Sequence, residues 1–165
     1  MPIFQCFPPV ALRLASAIAL LSLATACSTS STAPTESPTF DLQTELAFCR
    51  DEINRYRASV GRTALARSQP LETFAADSAR VDGLAHVAHQ HFGATSGGGG
   101  VSAAETEILW WNGFSVHTVI HDGLAQMWTA GPSGEHYAIL TGAFAQVGCG
   151  ISVNAGEVTV TEDFR

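Results

Sequence analysis

The chain has 165 residues, and its 8 basic side chains are all arginine, against 15 acidic ones, for a net charge of −7. A surface so poor in cations excludes nucleic-acid binding, which needs clustered Lys and Arg to neutralise phosphates. The length allows one folded domain with short appendages rather than two.

Residues 1–27 read as a signal peptide: Arg13 precedes an apolar stretch from Leu14 to Leu23, which closes on Ala24-Thr25-Ala26-Cys27. The stretch is far shorter than the roughly 20 residues of a bilayer span. Two cleavage readings fit the same residues. One is an A-x-A site for ordinary secretion; the other is a lipobox in which Cys27 is acylated and anchors the protein to a membrane. Small residues before Cys27 and a polar segment after it favour the lipobox, although Ala24 stands where Leu is usual. Removal of the leader takes Arg13 with it and makes the chain more acidic still. Residues 28–39, from Ser28 to Thr39, contain two prolines, no aromatic residue and no hydrophobic period. Such a segment cannot bury enough surface to fold and reads as a flexible tether.

The folded unit is expected over residues 40–165. Leu42, Leu46, Cys49, Ile53 and Tyr56 recur at helical spacing, with Asp41 as N-cap and Gly61 just past the end. A second helix follows Pro70 and carries Leu71, Phe74, Ala75, Ala79 and Leu84 on its apolar face, extending toward Val87. Gly93 to Val101 holds four consecutive glycines and no hydrophobic anchor, which predicts a loop. A third helix is expected from Ser115 to Trp128, with Val119, Ile120, Leu124 and Met127 on one face. Phe144 to Val153 and Glu157 to Phe164 are rich in β-branched residues and flank Asn154-Ala155-Gly156, the pattern of a terminal hairpin. Helices first and strands last, without βαβ alternation, give an α+β layered domain.

Of the four cysteines, Cys6 leaves with the leader and either cleavage reading accounts for Cys27. Cys49 and Cys149 remain. In an oxidising compartment they read as a disulfide rather than a metal site, with two separately buried thiols as the alternative. Closing a loop of about 100 residues stabilises a fold by roughly 4 kcal/mol in the chain-entropy model.

Taken together, these segments resemble the CAP superfamily of cysteine-rich secretory, antigen 5 and pathogenesis-related proteins. The likeness rests on Ile53-Asn54-Arg55-Tyr56-Arg57 with Leu65 in the opening segment, His89-Gln90-His91-Phe92, Ala104-Glu105, and Trp128 on a helix. It continues through Gly134-Glu135-His136-Tyr137, Val147-Gly148-Cys149-Gly150 and the closing Asp163-Phe164. These follow the family's order and cover Phe48 to Phe164. The resemblance implies a three-layer α/β/α sandwich, extracellular work, and a central cleft of two histidines and two acids that can hold a divalent metal such as zinc. Carried over by position, the first histidine is His89, with His91 as close competitor; the first acid is Glu105 and the second histidine His136. The second acid belongs two residues after the helix tryptophan, where this chain has Ala130. Thr106 stands where Asn commonly follows the cleft glutamate.

With Ala130 in place of an acid, three donors remain for a metal, and no cofactor is required by the pattern. The leading reading is therefore an extracytoplasmic domain that binds an unidentified lipid, small molecule or protein in its cleft, without assigned catalytic residues. The rivals are a metal-dependent hydrolase using His89, Glu105 and His136, and a purely structural envelope lipoprotein. His117 and His121, four apart and next to Asp122, and the nearby His86 read as solvated helix residues, because the zincin pattern would need Glu at Thr118. Ser133 sits in a proline turn without the spacing of a nucleophile elbow. Trp110, Trp111 and Phe114 read as core rather than as a lipid groove. The glycines from Gly97 to Gly100 lack the lysine and the strand-to-helix setting of a phosphate loop.

Overall fold

The computed structural model describes residues 40–165, so the leader, Cys27 and the tether lie outside the described residues. Asp41 caps the first helix, α1 (Leu42–Ser59), by accepting from the Gln43 N–H, and the helix buries Leu46, Cys49, Ile53 and Tyr56 along one stripe. It ends before Gly61, whose φ of +71° suits a residue without Cβ. A two-residue strand, β1 (Ala66–Arg67), leads into α2 (Gln69–Ala85), which has Pro70 in its first turn. Then come α3 (Gln90–Gly100), β2 (Ala104–Asn112), α4 (Val116–Thr129) capped by Ser115, α5 (Glu135–Leu140), β3 (Gln146–Asn154) and β4 (Glu157–Phe164).

The strands form one sheet in the order β1-β3-β4-β2, with β1 parallel to β3 and the other pairs antiparallel. β3 and β4 make the expected hairpin around residues 154–156. Side chains alternate across the sheet, so Val158, Val160, Glu162 and Phe164 of β4 point one way and Thr159, Thr161 and Asp163 the other. The first set joins Ile108, Val147, Cys149 and the buried faces of α1, α4 and α5 in the main hydrophobic core. The second set lies under α2, and the result is the three-layer α/β/α arrangement. Cys49 and Cys149 are bonded and tie α1 to β3 across 100 residues of chain.

Several sequence expectations change. Gly93 to Val101 is not a plain loop: α3 begins as a right-handed turn, and Ser96, Gly97, Gly98 and Gly99 then follow with φ between +54° and +69°. Glycine pays no Cβ penalty there, and the Thr95 hydroxyl accepts from the Gly98 N–H. The order of helices first and strands last also fails, because β1 and β2 lie among the helices. Leu84, expected on the apolar face of α2, is 57% exposed, and Val87 lies beyond the helix end. Trp110 is half-buried and stacks on His86 rather than entering the core, whereas Trp111 packs against the core edge.

α2 reaches the sheet through glycines. A Cβ on Gly150 would overlap the backbone of Ala75 and Ala76, and one on Gly148 the backbone of Leu71 and Glu72. Gly150→Ala should therefore cost about 2–3 kcal/mol or more in urea melts, since backbone cannot yield as a side-chain tip can. Gly93→Ala, where nothing lies within 4 Å of the new methyl, should be neutral or stabilise by about 0.5–1 kcal/mol.

Candidate functional site

Acidic side chains collect between α2 and one end of the sheet. Residues two apart on a strand share a face, so β2 turns both Glu105 and Glu107 toward α2, with Asp163 and Thr161 of β4 as their cross-strand neighbours. Asp82, in the last turns of α2, completes the group. Relative exposure is 6% for Glu105, 7% for Glu107 and 0% for both Asp82 and Asp163. Carboxylates are rarely buried this deeply without partners.

One base faces them. The chain leaves α2 through His86 and enters α3 at His89, both in the left-handed region with φ of 53° and 55°. Non-glycine residues hold that conformation only where their surroundings impose it. At His89 the surroundings are the two glutamates: its backbone N–H donates to Glu107 Oε2 at 2.7 Å, and its ring Nδ1 lies 2.9 Å from Glu105 Oε1 and 3.5 Å from Glu107 Oε2. The Thr161 hydroxyl reaches Glu107 Oε1 at 3.3 Å. The His91 N–H donates to Asp82 Oδ1 at 2.8 Å. Asp82 Oδ2, Glu105 Oε2 and both oxygens of Asp163 have no hydrogen-bond partner.

The electrostatics follow from this crowding. Burial, reinforced by the neighbouring Asp82 carboxyl, pushes Glu107 up to about 8. Burial likewise pushes Asp163 up to about 8. The hydrogen bond to Glu105 raises His89, against the opposing effect of its partial burial. On the opposite face Glu162, fully buried, accepts from the Thr106 hydroxyl at 2.6 Å and is raised well above the usual carboxylate range by burial.

Among the described residues, the His/Cys/Asp/Glu donors that converge closely enough to share an ion are those of His89, Glu105 and Glu107, all within 4.8 Å of one another. Of the sequence-derived set, His89 and Glu105 thus meet. His91 turns toward α2, with Nδ1 3.1 Å from Ser78 Oγ and its ring 5.0 Å from Phe74. His136 stands exposed in the first turn of α5 and lines a cavity of about 320 Å³ with Glu107, Trp111 and Met127. His89 and Glu105 line a different cavity, of about 270 Å³, with Phe92, Ala104, Glu135 and Ile139. Ala130 is exposed at the C-cap of α4. His117 and His121 are exposed, beside Glu45 and Asp122 respectively, and His86 bonds Glu157 at 2.7 Å.

Sequence reasoning missed Asp82, Glu107 and Asp163. The i, i+2 spacing of Glu105 and Glu107 was a usable signal once residues 104–112 are taken as a strand. The positions of Asp82 and Asp163 depend on tertiary packing.

No family model matches this chain, and no curated protein matches it significantly. Solved structures do. An outer surface protein from Borrelia burgdorferi superposes with a TM-score of 0.53 over 76% of this chain and 94% of its own, at 16% identity. A cysteine-rich secretory protein from Staphylococcus aureus subsp. aureus Mu50 gives a TM-score of 0.51 over 78% of this chain and 40% of its own, at 12% identity. The fold is therefore CAP-like, and the chain spans less than half of the staphylococcal protein.

Glu107, Asp163 and His89 all bind a proton more tightly in the folded state than in the unfolded chain. For the two acids the stability gained that way is complete below the unfolded carboxylate range and is lost as pH rises toward 8, whereas for His89 it is complete below the unfolded imidazole value and is lost above it. Urea midpoints should fall from pH 5 to pH 8, with a slope of up to about 1.4 kcal/mol per pH unit for each of the two buried acids. Asp163→Asn should flatten the slope; a midpoint that climbs over this interval contradicts the assignment.

Proposed function

We propose that this chain works outside the cytoplasm as a CAP-type binding domain that takes a small molecule into the cleft beside His89, and that it is a binder rather than a catalyst. The observation that carries the reading is the placement of His89. Its side chain is 45% exposed at the mouth of the 270 Å³ cavity while its ring is held by Glu105, which is 1% exposed. A polar group fixed at the rim of a partly apolar hollow is the usual form of a ligand site. The volume lies at the low end for such sites, which suits a fragment-sized ligand better than a sterol. Phe92 and Ile139 supply apolar walls, and Glu135 adds a carboxylate at the edge.

The non-catalytic part is supported by the side chains that a hydrolase would need. The place of the second acid is held by the exposed Ala130, and Ser133 is exposed in its turn. His136 borders the other cavity.

Export is supported by the leader pattern, by a disulfide that suits an oxidising compartment, and by the structural likeness to an outer surface protein and to a secretory protein. No helix among the described residues is long and apolar enough to cross a membrane. Acylated Cys27 is the anchor we propose.

Amide NMR of the isotopically labelled protein, titrated with a library of small amphipathic fragments, tests the cleft. Shifts should gather on Phe92, Ala104 and Ile139, and Ile139→Trp, which fills the hollow, should abolish them. Hits scattered elsewhere and indifferent to that variant would end the reading. Mass spectrometry of the processed protein should find a lipid on an N-terminal Cys27, and an unmodified first residue removes the anchor.

A further inference from the structure

We infer that the end of the domain where β2 finishes docks on a phospholipid surface through Leu84, Val87, Trp110, Trp111 and Phe114. The inference rests on the anchor reading above for its choice of occupant, and it concerns a face remote from the cleft beside His89.

Chain direction gathers these residues. β2 ends at Asn112, which pairs with Glu157 at the start of β4. α2 finishes at the same place, because its C-cap His86 bonds Glu157 at 2.7 Å and stacks on Trp110 at 5.1 Å. α4 begins there too. Phe114 stands between β2 and the cap Ser115, and its ring meets Trp111 edge-on at 5.5 Å. α1 starts alongside α4, since His117 lies 3.1 Å from Glu45 and stacks on Phe48.

Exposure is the second observation. Phe114, which the sequence pattern assigned to the core, is 50% exposed, with Leu84 at 57% and Val87 at 48%; Leu42, in the first turn of α1, is 44% exposed. Among the described residues, the one other large apolar side chain so open is Val60, at the far end of α1. Single exposed apolar residues are ordinary, but a group of them around two half-buried tryptophans marks a contact face. Tryptophan and other aromatic rings settle at the level of lipid headgroups.

The path of the chain decides the partner. Residues before Phe40 join the domain at the start of α1, hence at this end. The segment 28–39, which links Cys27 to the domain, spans at most about 40 Å. A lipid on Cys27 therefore keeps the aromatic end close to the bilayer and raises its local concentration there. The cavity beside His89 is walled by Ala103, Ala104 and Ile139 at the opposite end of β2, so docking leaves it open.

Charge sets the kind of surface. The ionisable side chains at this end pair among themselves, His86 with Glu157 and His117 with Glu45, and none of the residues named for it is an arginine. Attraction of a basic cluster to anionic lipid has no source here, and a zwitterionic surface is the fit.

The test couples the unacylated chain from Cys27 onward, through that cysteine's thiol, to maleimide lipid in phosphatidylcholine vesicles whose acyl chains are brominated. Cys49 and Cys149 are bonded to each other and do not compete for the maleimide. Bromine should quench Trp110 and Trp111 but spare Trp128, which stacks on Tyr56 toward the other end of α4, so Trp110→Phe with Trp111→Phe should leave an unquenched emission. Phe114→Ser, and Leu84→Ser combined with Val87→Ser, should each lower the ratio of docked to free domain about tenfold or more. These positions are exposed, so the variants retain the fold. Val60→Ser should leave the ratio unchanged, and an about tenfold rise in salt should alter it less than about twofold. The inference is overturned by tryptophans that stay unquenched, by a Val60→Ser loss as large as that of Phe114→Ser, or by docking that needs anionic lipid and fades with salt. Absence of docking where Cys27 is acylated in cells overturns this inference alone; docking where cellular Cys27 is unmodified overturns the anchor alone.

Discussion

Everything at the site depends on how closely α2 lies on β3. At positions 148 and 150 only hydrogen fits beneath the helix backbone, and at Gly83 an added methyl would press on Thr159. Ala75 and Ala79 face the sheet with equally short side chains. This approach lowers Asp82 to the level of the β2 and β4 side chains and brings the turn after α2 within reach of β2. Bulkier residues along the contact would lift the helix, and the backbone of His89 would lose the carboxylate that holds it in a left-handed conformation. Small residues thus do for the site what large ones do for the core: they set a distance.

The two sides of the sheet solve different problems. On one, α1, α4 and α5 cover a continuous apolar core, and the Cys49–Cys149 bond fastens α1 to β3. On the other, α2 covers Thr159, Thr161 and Asp163 as well as the two β2 glutamates. Near its closing end β4 carries acids on both faces, Glu162 toward the core with Thr106 and Asp163 toward α2. Buried acids of this number oppose folding. The close-packed glycines, the apolar core and the covalent link between α1 and β3 offset that opposition, so the fold can carry a polar end.

Much of this was legible in the sequence where apolar periodicity and covalent logic agree with burial. Leu46, Cys49, Ile53 and Tyr56 marked α1, Asp41 and Ser115 marked helix starts, and the glycine turn at 154–156 marked the hairpin. The cysteine pair followed from compartment and count. β2 was not legible as a strand because Glu105, Thr106 and Glu107 look like surface to any rule that equates charge with exposure, and here all three are buried. α5, with six residues, is too short for a period to show. The glycine run misled because four glycines announce freedom, whereas Gly98 is pressed against Phe74, where an added methyl would lie 2.8 Å from a ring carbon. Resemblance located Glu105 and His89 but carried no information on Glu107, which has no counterpart in the motif.

β2 is the last strand of its sheet, held only by β4 on one side, and its ladder breaks between Ile108 and Trp111, where Trp110 adopts a φ of 63°. The break divides the strand into an inner stretch bearing both glutamates and an outer stretch bearing the tryptophans. Edge strands are the parts of a sheet that detach first, and an irregularity confines such detachment to one segment. The outer stretch, paired with β4 only at Trp111 and Asn112 and partly exposed, is therefore the part that frays, while the inner stretch, paired without interruption from Ala104 to Ile108, stays docked. Fraying at that rim leaves the two buried glutamates at their places on the ladder and the rest of the domain intact.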